Sequence, residues 1–204
     1  YVFLRINDKF KDFFRGNSEA FLELYYRKEE SVFYKEQFRL FLIKNNRKEI
    51  IKCVCDCLYE INDLSKVEKV LVVGLGNRGA VCDSLGPKSC DHLLITSHLY
   101  EQNKIEYLSG TRNVACITPG VMGQTGIESA NVIEAVNNFF KADLVIVIDA
   151  LATSSLSRIN SAIQINNVGI HPGGGIGNHR LELNEEILHC PIIAIGIATV
   201  TSIR

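Results

Sequence analysis

From residue 67 onward, apolar residues gather into short unbroken runs rather than alternating with polar ones. The runs at 68–74, 113–118, 143–149, 161–166 and 191–197 are rich in Val and Ile, as strands buried on both faces are. Between them, apolar positions recur every three or four residues, predicting one helix from Pro87 to about Tyr100 and another from Gly126 to Phe140. Pro87 suits the first turn of a helix, where a missing N–H costs nothing. Strands alternating with helices predict an α/β fold, a three-layer sandwich with a mostly parallel sheet.

Residues 1–66 are patterned differently. They hold 13 of the 17 aromatic residues, one of the 15 glycines, and no Pro or His. The segments "SEAFLELYYRK", "KEQFRLFLIKN" and "RKEIIKCVCDCLYEI" carry apolar residues at helical spacing. The chain is therefore expected to divide into a helical region, 1–66, used for packing or oligomerisation, and an α/β domain, 67–204. An aromatic stripe of this kind normally packs against something.

Composition narrows the function classes. With 22 basic and 23 acidic residues the net charge is −1, so no surface for direct nucleic-acid binding is expected. No apolar run approaches the roughly 20 residues that cross a bilayer, and "YVFLRINDKF" meets charge too early for a signal-peptide core. Seven cysteines, an odd number, lie partly inside apolar segments, which favours free thiols in a reducing, cytoplasmic setting. Cys53, Cys55 and Cys57 would point three ways on a helix and do not match paired zinc spacings.

The stretch "KVLVVGLGNRG" (69–79) carries Gly74-x-Gly76-x-x-Gly79, the spacing of a dinucleotide-binding turn. Such a site also needs a helix opening at the third glycine and an acidic residue about 20 positions later. Here Gly79 leads into the loop "AVCDSLGPK", and the later position falls in "ITSHLYEQ". No cofactor is expected.

What that loop presents is Asp83, and the run "ADLVIVIDA" ends in Asp149. Both acids follow parallel strands, whose C-terminal ends share the ligand-binding edge of an open sheet. Burial raises a carboxyl pKa, and two neighbouring acids resist ionising together. One can then take a proton from water while the other protonates a leaving group. An isolated loop Asp more often caps a turn or helix, and spacing alone leaves both roles open.

Seven motifs in order, "GLGN", "DSLGPK", "ITPGVMGQTGIES", "VIVIDALATSS", "SRINSAIQI", "GIHPGGGIGNHR" and "PIIAIGIATV", resemble the germination protease family of endospore-forming bacteria. The resemblance runs from about Val67 to Ser202. It implies an atypical aspartic endopeptidase, related in fold to the hydrogenase maturation peptidases and activated from a zymogen. Its implied substrates are the small acid-soluble proteins of the spore, its location the forespore or spore core, and its assembly a homo-oligomer. The family's two catalytic aspartates fall on Asp83 and Asp149.

Supporting or substrate-binding candidates are Asn77, Gly123, Thr125, His171, Asn178 and Arg180. Glycines in "TPGVMGQTG" would let backbone approach an extended peptide, and N–H groups of a helix starting near Gly126 could stabilise an oxyanion. A metal held by His171, His179 and an acid is conceivable from the maturation peptidases, but the spacing is not diagnostic and no metal is expected. The chain has Val81-Cys82 where the family carries Thr-Pro, and Ser154 where an Arg is expected. The family's amino-terminal Thr-Asp-Leu-Ala signature is absent from residues 1–66. Two functions stay open: a peptidase, or a non-catalytic sporulation protein holding a peptide or protein partner on the same scaffold.

Overall fold

The computed structural model describes residues 24–25, 39–42, 47–102, 110–172 and 181–201. Its centre is a parallel group of four strands: β3 (Lys69–Gly74), β4 (Asn113–Ile117), β5 (Leu144–Thr153) and β7 (Ile192–Thr201). They are ordered β7-β5-β3-β4, every pairing parallel. On the β7 side, β6 (Ala162–Asn166), β2 (Arg39–Leu42) and β1 (Leu24–Tyr25) continue the sheet antiparallel, giving seven strands among the described residues.

The unbroken apolar runs are explained by burial on both faces. Val70, Val72, Leu144 and Ile146 meet Ile50 and Leu58 of helix α1 (Arg47–Ile61), with Leu64 and Leu85, on one face. Leu71, Val73, Val145 and Val147 meet Ala130 and Ile133 of helix α5 (Ser129–Phe140), and Leu188 of helix α6 (Glu185–Leu188), on the other. Two helical layers thus sandwich the sheet, as the sequence pattern predicts.

Four expectations need correction. Within the segments expected to be helical, Leu24–Tyr25 and Arg39–Leu42 are strands. Arg39 to Leu42 pair with Ile165 to Ala162, so the open edge of β6 supplies hydrogen bonds that override local helical periodicity. The helix expected from Pro87 to Tyr100 is two, α2 (Leu85–Cys90) and α3 (Ser97–Glu101). Between them, buried Thr96 binds the outer edge of β4: its N–H donates to Val114 O, its hydroxyl to Arg112 O, and Val114 N–H donates back to Oγ1.

The helix expected from Gly126 starts at Ser129. A separate turn, α4 (Met122–Thr125), precedes it, and Gly126 closes that turn in the left-handed region at φ 74°. Finally, β5 and β7 run on to Thr153 and Thr201, beyond the expected ends at 149 and 197, because they pair with each other there.

Candidate active site

Asp149 lies where two neighbouring strands part. The last pairing between β3 and β5 is Gly74 with Ile148, reinforced by Leu75 N–H donating to Ile148 O at 2.9 Å. At the next residue β3 has turned away, while on the other side Asp149 still pairs with Gly196 of β7. Strand alternation puts the carboxyl on the face of Val145 and Val147. It is only 5% exposed. Burial pushes its pKa to about 7; the N–H of Ala150, 2.8 Å from Oδ1, opposes that shift, and the charge of Asp83 adds to it.

Asp83 comes from the chain leaving β3. After Gly74 the backbone turns through Gly76, forms a single 3-10 turn at Val81–Asp83, and enters α2. Gly76, at φ 111°, is obligatory: a Cβ there would sit 2.1 Å from Asp83 O and 2.9 Å from its Oδ1. The Asn77 N–H donates to Asp83 Oδ2 at 2.8 Å. Half-burial raises the Asp83 pKa, with that amide pulling the other way. Gly86 lets α2 sit on the strand ends, since a Cβ there would lie 2.3 Å from Leu75 O and 2.4 Å from Ile148 O. Of the fingerprint glycines, Gly76 thus makes room for Asp83, and Gly74, where a Cβ would lie 2.4 Å from Gly86 O, makes room for α2.

Of the supporting candidates, Asn77 joins this cluster. Its Oδ1 accepts from Gly79 N–H at 2.8 Å and from Gln124 Nε2 at 2.9 Å. Gln124, within a motif singled out by sequence but not itself chosen, therefore ties the 118–126 loop to the Asp83 loop. Gly123 lies exposed on α4, with open space around its Cα. Thr125 spends its hydroxyl on its own loop: its one proton has Ile127 O at 3.0 Å and Val121 O at 3.3 Å as acceptors, and its oxygen accepts from Ile127 N–H. Gly126 N–H donates to Met122 O, so it is committed to the turn rather than aimed at an oxyanion.

His171 follows β6, which runs antiparallel to β7 and ends near its start, at the sheet edge away from Asp149. It is exposed, 3.9 Å from Glu182. Asn178, His179 and Arg180 lie outside the described residues. Among the described residues, no three His, Cys, Asp or Glu side chains converge as a metal-ligand set. A second residue that sequence reading missed is Thr199, whose hydroxyl donates to Cys82 O at 2.5 Å. Its signal is a strand irregularity that only pairing reveals.

The family model described as germination protease matches residues 42–203. The chain belongs to the germination protease family. The match starts at 42, so α1, which the motifs left outside the resemblance, lies within the family's region. Among similar proteins are the germination proteases of Clostridium tetani, 47% identical over 154 residues (76% of this chain, 48% of that protein), and Oceanobacillus iheyensis, 47% over 139 residues (68% and 38%). That of Priestia megaterium is 52% identical over 130 residues (64% and 35%). The chain thus spans about a third to a half of the length of these relatives. Among solved structures it is similar to a nickel–iron hydrogenase maturation protease from Thermococcus kodakarensis, at 21% identity and a TM-score of 0.40, covering 69% of this chain and 79% of that one.

Proposed function

We propose that this chain is a germination-protease-like aspartic endopeptidase using Asp83 and Asp149 as an acid–base pair. The observation that carries the reading is the pair itself: two carboxyls at one sheet edge, both raised by burial, with the charge of one acting on the other. Their unequal burial separates the roles. Asp149, buried and raised to about 7, holds a proton near neutrality, while half-exposed Asp83 ionises first.

Asp83 then takes a proton from a water molecule, whose oxygen attacks the scissile carbonyl. Asp149 gives its proton to the departing amine. The cycle closes when the proton on Asp83 passes back to Asp149. The pair returns to its starting protonation state after each turnover, and because the charge of Asp83 acts on Asp149 the two carboxyls titrate as a coupled pair. Asn77, braced by Gln124, fixes the Asp83 carboxylate by its amide. Gly123 and the flanking loop leave backbone open to an extended peptide.

On this reading the substrate is a small acid-soluble spore protein or another sporulation protein. The enzyme works in the forespore or spore core as a homo-oligomer released from a zymogen. Incubating the purified protein with an acidic spore-type protein tests the proposal. Cleavage by the parent chain, with Asp83→Asn and Asp149→Asn each losing about three orders of magnitude or more and the double variant little worse, is expected. Cleavage unchanged in either variant overturns it. No cleavage by the parent, with both variants functional in sporulating cells, favours a partner-holding scaffold instead.

A further inference from the structure

Strands β5 and β7 keep one register from Val145 opposite Ile192 to Leu151 opposite Ala198, then slip so that Ala152 faces Val200. Thr199 is the extra residue. Such a bulge bends its strand locally and re-aims a side chain, often beside an active site. Here the re-aimed hydroxyl reaches across 117 positions of sequence to donate to Cys82 O at 2.5 Å, the carbonyl immediately before Asp83.

The other hydrogen bonds to the turn bearing Asp83 come from nearby in the chain, among them Asn77 N–H, which donates to Asp83 Oδ2 at 2.8 Å. Asp83 N–H donates to Ala80 O at 2.9 Å, and Ser84 Oγ donates to Val81 O at 3.0 Å. These bonds fix the turn's shape, and on its far side Gly86 seats α2 against Leu75 O and Ile148 O at the strand ends. The Thr199 bond adds a direct tie from the turn to β7, the strand that carries Gly196 opposite Asp149. Through it, the turn is referenced to the same strand pair that holds the second carboxyl.

We infer that Thr199 is a positioning residue, its bulged hydroxyl setting where the Asp83 turn stands over Asp149. The inference rests on the proposed function for its kinetic consequence, but its geometric core is independent of it. The test compares Thr199→Val, which keeps the branched shape and removes the donor, with Thr199→Ser, which keeps the donor. Carboxyl-carbon NMR titration of the aspartates reads the environment that the turn creates around Asp149, without requiring activity. In Thr199→Val the upper carboxyl transition should move down, as the turn lifts and water reaches Asp149, while the thermal midpoint changes little. Where the parent cleaves, kcat should fall about ten- to a hundredfold with KM nearly unchanged, as for a displaced catalytic group.

Thr199→Ser should restore both readouts. An unchanged titration in Thr199→Val, or a Ser variant that behaves like Val, would overturn the inference. If the parent cleaves nothing, the proposed function fails, and the titration alone still decides the role of Thr199.

Discussion

Asp149 gives the protein an unusual dependence on pH. Its folded pKa of about 7 lies above the ordinary unfolded value of about 3.9. The native state therefore binds a proton that the unfolded chain has already released. Stability from this group is full below about pH 4 and is lost as pH rises toward 7, at up to about 1.4 kcal/mol per unit. Asp149→Asn should remove most of that slope and make the protein more stable at pH 8 by on the order of a few kcal/mol, while ending any cleavage. Urea midpoints from pH 4 to 8 check this, and an unchanged slope in the variant would show that other groups control it. At Gly76 the expectation is opposite in sign. Alanine there meets both a left-handed backbone and the Asp83 carbonyl, so Gly76→Ala should cost roughly 2–4 kcal/mol and lower the thermal midpoint accordingly.

The elements show local propensity yielding to pairing. The stretch from Pro87 to Tyr100 has helical periodicity, yet Thr96 leaves the helix to cover the free edge of β4. A hydroxyl buried to 2% exposure must find partners, and Arg112 O and Val114 N–H are the partners in reach. Thr96→Val keeps the shape and orphans both. It should cost about 1–3 kcal/mol by denaturant unfolding with little change in secondary structure by circular dichroism; a neutral result would show that the break between α2 and α3 does not depend on the hydroxyl. The left-handed Gly126 similarly postpones α5 to Ser129, whose hydroxyl donates to Gly120 O at 2.9 Å. That choice closes the 118–126 loop on itself and leaves Gln124 to bridge to Asn77.

In the molecule as a whole, stability concentrates in the two cores on either side of β3 and β5. Ile133, fully buried, should cost about 2–5 kcal/mol when truncated to Ala. Phe139, on the same helix but 87% exposed, should change stability by less than about 0.5 kcal/mol when made Ser. Paired unfolding curves test the contrast, and equal costs would mean that α5 is seated differently. Amide exchange should be slowest in β3 and β5, which are interior strands buried on both faces.

The sequence by itself determined the sandwich. Unbroken Val and Ile runs suit only strands covered on both sides, and their alternation with helices makes the central sheet parallel. It also singled out Asp83 and Asp149, because each acid directly follows such a run or its turn. Why the glycines between 74 and 86 are there was only half legible. Their spacing announces a tight turn, but what fills the space, Asp83 folded back against Gly76 and, against Gly86, the carbonyl of Ile148 from a distant strand, is set by how the chain packs rather than by the spacing. The strands at 24–25 and 39–42, the break at Thr96 and the bulge at Thr199 were decided by tertiary structure alone. In each, a hydrogen-bonding edge or carbonyl supplied from elsewhere in the fold outweighs a local preference worth only tenths of a kcal/mol per residue.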